Sequence, residues 1–279
     1  MSRVAVIVVM YNPKEYMLDN LMNYKDLSLI IIDNSDDSND ISKHVKKMDC
    51  VYKPLGKNMG LAYALNEGVN IAYEKGCKYV LTLDQDSIIE NSDISKMVDF
   101  LDIHDEIAVL SPTIIPYEDI DNIPRMKSID NSYSSVNFVI TSGCLCRKEI
   151  YENVGYFRDE LFIEYIDVDF CLRLKKQGIK IIRLNEVHLY QRAGNSVEKR
   201  FLWKKIHPLF DSPKRGYYIF RNHKYLKKIY GRNLYKYAPR LYKAIIKTLF
   251  YEDRKIERVR FYIEGYIDGC RGQMGEYRK

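Results

Sequence analysis

Short apolar runs that end abruptly in polar residues recur through the first third of the chain. VAVIVVM (4–10) precedes Tyr11 and Asn12, LSLIII (27–32) precedes Asp33 and Asn34, and VLTL (80–83) precedes Asp84-Gln85-Asp86. Continuously apolar runs of this length are typical of strands buried on both faces of a parallel sheet. Helical patterns separate these runs, and the alternation predicts an α/β fold with a doubly wound, mostly parallel sheet.

The remaining patterns predict further helices and strands. Helices are expected at 14–24, 41–48, 58–75, 92–104 and 148–154, and from Asp167 to Gly178, and strands at 50–52, 107–111, 136–146 and 179–184. Gly76 and Gly178 provide C-terminal stops for two of the helices. Residues 112–133 are expected to form a loop that frames an acceptor site, and 188–194 to lead out of the last strand.

The polar residues after the first strands predict a shared crevice. Because the carboxyl ends of parallel strands meet at one edge of a sheet, Tyr11, Asp33, Asn34 and the Asp84–Asp86 pair should lie close together. Neither a GxGxxG motif nor a P-loop is present, so a phosphate-bearing ligand would need a metal or basic side chains. The alternative for Asp84-Gln85-Asp86 is a polar turn without function.

Charge divides the chain into two regions. Of 44 Lys+Arg and 38 Asp+Glu in 279 residues, 22 and 7 fall in 199–279, a net charge of +15, which leaves 22 and 31, a net of −9, for 1–198. We therefore predict a domain at 1–198 and a basic, aromatic-rich helical region at 199–279. No apolar run approaches the roughly 20 residues of a membrane helix. The six scattered cysteines lack CxxC spacing, which favours a reducing, cytoplasmic location.

Six segments, taken together and in order, resemble the sequence motifs of one protein family. They are VVMYNP (8–13), IIDNSDD (32–37), GKNMGLAYALNEGVNIA (56–72), VLTLDQDS (80–87), TSGCLCRKEIYENVGYFRDELFIEYIDVDFCLR (141–173) and RGYYIFRN (215–222). In this order they resemble the family 2 inverting glycosyltransferases, and more closely their bacterial rhamnosyltransferase-like branch. The resemblance implies a GT-A fold for 1–198, a UDP- or dTDP-sugar donor, and Mg²⁺ or Mn²⁺ as cofactor.

The resemblance also implies roles for individual residues. Tyr11, Asp33, Asn34, Lys57 and Gly60 fall in donor-binding segments, although Lys57-Asn58 could simply begin a helix. Asp84 and Asp86 match the Asp-x-Asp motif, with Asp86 as the direct metal ligand and Asp84 as a supporting ligand and donor contact. Asp167 matches the catalytic base. A metal that stabilises the leaving diphosphate, and a base that deprotonates the acceptor hydroxyl, together suit sugar transfer.

The sequence departs from the family pattern at two positions. Ile166 replaces the glutamate that precedes the base, and Gln191 stands where the family often has a metal-binding histidine. His188 is a candidate substitute, but its offset of three residues would direct it to the opposite face of a strand, so a packing role is the alternative. Asp169 and Arg221 are possible acceptor or phosphate contacts. Asp169 could instead begin the helix or pair with Arg173 four residues later.

Together these features predict an inverting enzyme that transfers a sugar, possibly L-rhamnose, to a lipid-linked oligosaccharide in bacterial surface polysaccharide synthesis. The alternatives are another donor, such as a UDP-hexose or UDP-galactofuranose, or a non-catalytic binding module. The basic C-terminal region predicts peripheral contact with the inner face of the cell membrane. Self-association is the alternative, and no nucleic-acid motif supports nucleic-acid binding.

Overall fold

A computed structural model describes residues 3–24, 27–36, 39–46, 48–117, 132–192, 199–201, 204–206, 212–238 and 241–278. The strands are β1 Val4–Met10, β2 Ser28–Asp33, β3 Val51–Pro54, β4 Tyr79–Asp84, β5 Ser87–Ile89, β6 Val109–Tyr117, β7 Tyr133–Val136, β8 Cys144–Arg147, β9 Ile181–Arg192, β10 Lys199–Phe201 and β11 Lys204–Ile206. The α-helices are α1 Glu15–Asn20, α2 Asn39–Val45, α3 Leu61–Glu74, α4 Asn91–Ile103, α5 Glu149–Asn153, α6 Ile166–Lys176, α7 Pro213–Tyr230, α8 Leu241–Tyr251 and α9 Lys255–Arg271.

The first nine strands of the described chain form one sheet in the order β3-β2-β1-β4-β8-β6-β9-β5, with β7 also paired to β9. Strands β3, β2, β1 and β4 are all parallel, as the apolar runs predict. Beyond β4 the sheet is mixed, because β8 pairs antiparallel with both β4 and β6. The expectation of a mostly parallel sheet therefore holds for the first half of the sheet.

The central part of the chain differs from the expected elements. β6 continues through Pro112 and Pro116 to Tyr117, where a loop was expected, because the long strand β9 pairs with it along its full length. The register shifts between Pro112 and Thr113, so the irregular pairing falls beside a residue that has no N–H to donate. Within the strand expected at 136–146, only Val136 at the end of β7 and residues 144–146 of β8 are strand, and β5 was not predicted. Residues 118–131 of the expected loop lie outside the described residues.

The core lies in two layers, one on each face of the sheet. Alternate residues of β1 supply both layers: Ala5, Ile7 and Val9 face α3 and α6, whereas Val6 and Val8 face the side of α1, α2 and α4. All these β1 side chains are buried, as expected for a strand covered by helices on both faces.

The C-terminal helices α7 and α9 pack at very short range. A Cβ atom on Gly265 would lie 2.2 Å from the Tyr217 carbonyl oxygen, so glycine is needed where the two backbones approach. Phe220 and Tyr262 stack with their ring centroids 4.2 Å apart. The Tyr217 hydroxyl also donates to Asp268 at 2.8 Å. Tyr217 and Tyr262 therefore pack between α7 and α9.

Candidate active site

The end of β2 supplies a buried polar turn. The Asp33 carboxylate is fully buried and accepts hydrogen bonds from the Ser35 N–H at 3.0 Å and the Tyr52 hydroxyl at 2.7 Å. Asn34 accepts from the Met59 N–H at 2.7 Å and donates to Asn58 at 3.1 Å. These bonds tie the end of β2 to the segment that precedes α3.

Gly60 connects this segment to the loop before α6. Its φ is +91°, and an added Cβ would lie 2.7 Å from the Phe162 side chain and 2.8 Å from the Phe162 carbonyl oxygen. The next residue, Leu61, donates its N–H to that same carbonyl at 2.7 Å. Lys57 is exposed at the rim of this segment. The predicted donor segments at β2 and α3 thus lie together.

Gln85, which the sequence left without a role, joins the ends of β1 and β4. Its side-chain oxygen accepts from the Tyr11 N–H at 2.8 Å, and its amide donates to the Tyr11 carbonyl at 3.3 Å. Asn12 has a φ of +44° and donates its N–H to Ser35 at 2.9 Å. The ring of Tyr11 is left 43% exposed at the mouth of the crevice.

Asp84 lies within the electrostatic influence of Asp86 and Asp167. Burial, followed by the negative charges of Asp86 and Asp167, raises the pKa of Asp84 to about 7, and Arg215 opposes this shift. Burial also raises the pKa of Asp86, and the positive charge of Arg192 opposes this shift. Carboxylates that lie close together in a partly dry crevice resist simultaneous ionisation, and a cation would relieve their repulsion.

Short polar contacts hold the Asp84–Asp86 turn in place. The Asp84 N–H donates to the Ser142 hydroxyl at 3.1 Å, and Ser142 in turn donates to Ser87 at 2.8 Å. The Tyr117 hydroxyl donates to the Asp86 carbonyl at 2.7 Å. Both carboxylates therefore sit on a turn whose backbone is fixed from β6 and from the segment before β8.

Asp167 lies in the first turn of α6, where its carboxylate accepts from the Val168 N–H at 2.8 Å. Burial raises the pKa of Asp167 to about 6, and the charge of Glu164 adds to this shift. Glu164 is ion-paired with Arg215 from the first turn of α7. The neighbouring carboxylate that Ile166 cannot supply is thus provided by Glu164, two residues earlier.

The loop before α6 has an unusual backbone. Phe162, Glu164 and Tyr165 all have positive φ values, between +64° and +67°, a conformation that costs free energy in residues with a Cβ atom. The buried Asn222 amide donates to the carbonyls of Leu161, Ile163 and Glu164 at 3.0, 2.7 and 2.9 Å. Asn222 therefore stabilises the loop that delivers Asp167.

The structure places Arg221 away from the crevice. Its side chain is fully buried, and its guanidinium donates to the Leu161 carbonyl and to Asn222, each at 2.9 Å. A guanidinium enclosed in this way cannot reach an acceptor or phosphate, so Arg221 supports the loop together with Asn222. Arg215, six residues earlier in the same segment, is the arginine that lies near the carboxylates.

Asp169 is likewise enclosed within the fold. It is fully buried and accepts from Arg158 at 3.0 Å, Arg173 at 2.8 Å and the Tyr230 hydroxyl at 2.7 Å. The pairing with Arg173 four residues later confirms the structural alternative. A carboxylate engaged by two guanidinium groups and a phenol anchors α6 to α7.

The structure separates His188 from Gln191. Gln191 donates its amide to the Asp84 carboxylate at 3.3 Å, whereas His188 is buried and its backbone N–H donates to Asp93 of α4 at 3.0 Å. The three-residue offset along β9 explains the difference, because successive side chains alternate between faces. This alternation directs the buried His188 side chain to the face opposite Gln191, which favours the packing role over the role of a metal ligand.

The donor set fits a hard divalent cation that also uses ligand oxygens. Within the described ranges, no cluster of three or more His, Cys, Asp or Glu side chains could hold a metal by itself. Asp84 and Asp86 supply two carboxylates, and Mg²⁺ commonly binds one or two carboxylates together with substrate phosphates and water.

Several residues of the site were missed in the sequence. Gln85, Ser142, Glu164 and Arg215 lie inside quoted family segments and Arg192 lies outside them, and nothing in their spacing distinguishes these residues from surface polar residues. Arg192 donates to the Tyr16 hydroxyl at 2.6 Å and opposes the raised pKa of Asp86. Only its position at the end of β9, opposite β5, brings it to the crevice.

Comparison with known proteins identifies the family of the chain. The family model "Glycosyl transferase family 2" matches residues 5–171, more than half of the chain. The dTDP-rhamnosyl transferase RfbF of Shigella flexneri is 29% identical, over 98% of this chain and 97% of RfbF. The amylovoran biosynthesis glycosyltransferase AmsE of Erwinia amylovora is 25% identical over 56% of this chain and 59% of AmsE.

Solved structures share the fold at lower sequence identity. S. aureus TarS 1–349 in complex with UDP-GlcNAc superposes with a TM-score of 0.60 and 17% identity, covering 96% of this chain and 81% of TarS 1–349. GalNAc-T7 with UDP, GalNAc and Mn²⁺ superposes with a TM-score of 0.61 and 12% identity, covering 96% of this chain and 56% of GalNAc-T7. The mixed sheet with its carboxylate crevice is thus the GT-A fold, and the chain belongs to glycosyl transferase family 2.

Proposed function

We propose that the protein is an inverting glycosyltransferase that moves a sugar from a dTDP- or UDP-sugar to a hydroxyl of a lipid-linked oligosaccharide in bacterial surface polysaccharide synthesis. The observation that carries this proposal is that the negative charges of Asp86 and Asp167 both act on Asp84, on the turn that bears the carboxylate pair. It combines a carboxylate pair suited to a cation with a carboxylate of raised pKa suited to proton transfer.

L-Rhamnose is the donor sugar that we favour, and dTDP the nucleotide. The support is the relation to RfbF, which spans nearly the whole of both chains. A UDP-hexose or UDP-galactofuranose is the alternative donor. The TarS structure contains UDP-GlcNAc, but its low identity extends only to the fold, so it does not favour a particular donor here.

Asp167 is the proposed base, and one base with one in-line displacement gives inversion at the sugar carbon. Its pKa of about 6 leaves it ionised at neutral pH and basic enough to accept the proton of the acceptor hydroxyl. Glu164 raises that basicity, and the Val168 N–H orients the carboxylate. A non-catalytic module would not need a partly buried carboxylate of this kind.

The leaving diphosphate requires positive charge. Asp84 and Asp86 would hold Mg²⁺ or Mn²⁺, which when bound supplies electrostatic stabilisation to the departing diphosphate. Arg192 beside Asp86 and Arg215 beside Asp84 are the basic side chains that we propose as further phosphate contacts. We propose that the nucleotide contacts Tyr11, which is exposed at the mouth of the crevice. Asn34 at the end of β2, and the segment that precedes α3 and ends at Gly60, are the other proposed contacts.

The experiment is a panel of nucleotide sugars tested with Mn²⁺ or Mg²⁺ and a synthetic lipid-diphosphate oligosaccharide acceptor. We expect transfer from dTDP-L-rhamnose with inverted configuration in the product, loss of transfer on chelation, and a higher melting temperature with donor and metal. Asp167→Asn should abolish transfer, whereas Asp99→Asn on the exposed face of α4 is the matched control. Absence of transfer and of any thermal shift across the whole panel would refute the proposal.

No helix among the described residues is both long enough and apolar enough to cross a membrane. We propose that the protein works at the inner face of the cell membrane as a peripheral protein, where a lipid-linked acceptor would be found. The net charge of +15 in residues 199–279 supports this placement.

A further inference from the structure

Helix α8 exposes its apolar side to solvent. Tyr242, Ile245, Ile246, Leu249 and Phe250 are between 37% and 65% exposed. At 100° per residue, these five side chains occupy one arc of roughly 140°. A helix that belonged to the core would direct this arc inward. The exposed arc, defined by these five residues, is called the α8 face below.

The opposite side of α8 is the side that contacts the protein. Thr248 is fully buried, and its hydroxyl lies 2.7 Å from the Tyr262 hydroxyl of α9. Lys243 and Lys247 project from one flank of the α8 face, between it and the protein-facing side. The helix is thus held by its small polar side while aromatic and aliphatic side chains point away, with lysines at their edge.

Helix α9 adds a second exposed aliphatic stripe. Ile256, Ile263 and Ile267 follow helical spacing and are 89%, 56% and 39% exposed. Arg260, on the same helix, is also exposed. Scattered surface hydrophobic residues need no explanation, but apolar side chains grouped along one face of a helix mark an interaction surface.

Charge distinguishes between the occupants of such a surface. Helix α8 carries Lys243 and Lys247 and no acidic residue, so apposing two copies through this helix would bring like charges together. An anionic bilayer is complementary to both properties, because acyl chains accept the apolar face and headgroups attract the lysines. The eleven residues of α8 are too few to span a bilayer and suit a helix lying in its plane.

We propose that the α8 face inserts into the interface of an anionic lipid bilayer and docks the enzyme there. This extends the proposed peripheral location by assigning it to one helix face. Docking requires neither a nucleotide sugar nor a metal, so its failure would be distinguishable from failure of the proposed sugar transfer.

The test is co-sedimentation of the full chain with vesicles of phosphatidylcholine alone or mixed with phosphatidylglycerol. We expect binding to the mixed vesicles, and a loss of about tenfold or more in partitioning for the Ile246→Ser/Leu249→Ser double variant. Lys243→Glu/Lys247→Glu should weaken binding to the mixed vesicles only. The matched control is Ile103→Ser on α4, which alters an isoleucine that is 77% exposed in the acidic half and should bind as the unmodified chain does.

A second measurement reports insertion directly. Phe250→Trp, made together with Trp203→Phe, should show blue-shifted fluorescence and quenching by brominated lipid in the mixed vesicles. Transfer to a soluble acceptor should be unchanged in the Ile246→Ser/Leu249→Ser variant, which excludes misfolding as the cause of lost binding. Undiminished vesicle binding by that variant would overturn the proposal. So would a dimer in sedimentation equilibrium that the same variant dissociates, because a second copy would then cover the face.

Discussion

The amide of Gln191 donates a hydrogen bond to the carboxylate of Asp84 across 3.3 Å. This contact joins the end of β9 to the end of β4, at the place where the family resemblance suggests a metal-binding histidine. A glutamine there orients Asp84 and would leave the proposed cation dependent on the two carboxylates and on ligand oxygens. We therefore expect a weakly held metal whose affinity rises when the donor diphosphate is present.

Replacing this glutamine tests that expectation. Gln191→His should tighten Mn²⁺ binding by about tenfold, because an imidazole adds a protein ligand beside Asp84. Gln191→Ala should weaken it, since Asp84 loses its orienting donor. Water-proton relaxation during a Mn²⁺ titration measures both affinities. His188→Ala is the control, and a changed Mn²⁺ affinity in that variant would place His188 in the metal site after all.

The rate of transfer should depend on the ionisation of Asp167. Because its folded pKa is about 6, kcat/KM should rise as the pH increases from 5 to 7 and then reach a plateau. Asp167→Asn should lower the rate by about 10²–10⁴-fold and remove this rise. A pH–rate profile of both proteins, with Asp99→Asn as the control, provides the measurement.

Glu164 should set the midpoint of this pH–rate profile. Its negative charge raises the pKa of Asp167, so Glu164→Gln should move the midpoint of the profile to lower pH.

The stability of the protein should also depend on the ionisation of Asp167. The unfolded-state pKa of an aspartate is about 3.9, below the folded value. The protonated form is therefore favoured by folding, and the stability contributed by Asp167 should fall as the pH rises through about 6. In ligand-free protein, Asp167→Asn should flatten the melting temperature over this pH range.

Gly60 should tolerate alanine poorly. With φ at +91° and Phe162 within 2.8 Å of an added Cβ, Gly60→Ala should cost about 2 kcal/mol or more and weaken donor binding. Gly56→Ala is the matched control, since Gly56 also has a positive φ but no atom within 4 Å of its Cβ position, so only the backbone strain of about 1 kcal/mol applies. Urea unfolding gives both values, and equal costs would contradict the close approach.

Asn222 should affect both stability and activity. Asn222→Ala removes the amide that three loop carbonyls share, and we expect a loss of about 1–3 kcal/mol in unfolding free energy. Because the strained loop carries Asp167, kcat should fall while the donor affinity changes little. Asn233→Ala, at an exposed asparagine in the turn after α7, is the control. An unchanged kcat in Asn222→Ala would limit this residue to a purely structural role.

Arg215 should bind the donor diphosphate, and Arg221 should stabilise the fold. Arg215→Ala is expected to lower kcat/KM about 10–100-fold with little change in stability, because a charge-assisted phosphate contact contributes about 1.5–3 kcal/mol. Arg221→Met should instead destabilise the protein, since several buried carbonyls lose their donor. Kinetics and urea unfolding of both variants distinguish these roles, and the reverse pattern would exchange them.

The sequence by itself determined the layered α/β fold and the strand ends that bear Asp33, Asp84 and Asp86. These follow from local patterns, because a strand buried on both faces must be apolar throughout and can become polar only where it ends. The match of ordered segments also predicts Asp167 as the base, and strand alternation predicts that the side chains of His188 and Gln191 lie on opposite faces of β9.

Only the tertiary structure decided which polar residues meet in the crevice. Arg215 and Arg221 belong to one short segment, and Glu164 and Asp169 to another, yet one member of each pair faces the carboxylates and the other is enclosed. Their spacing gives no indication of this difference. It depends on how α7 docks against the loop before α6, and such long-range packing brings together side chains that local periodicity cannot relate.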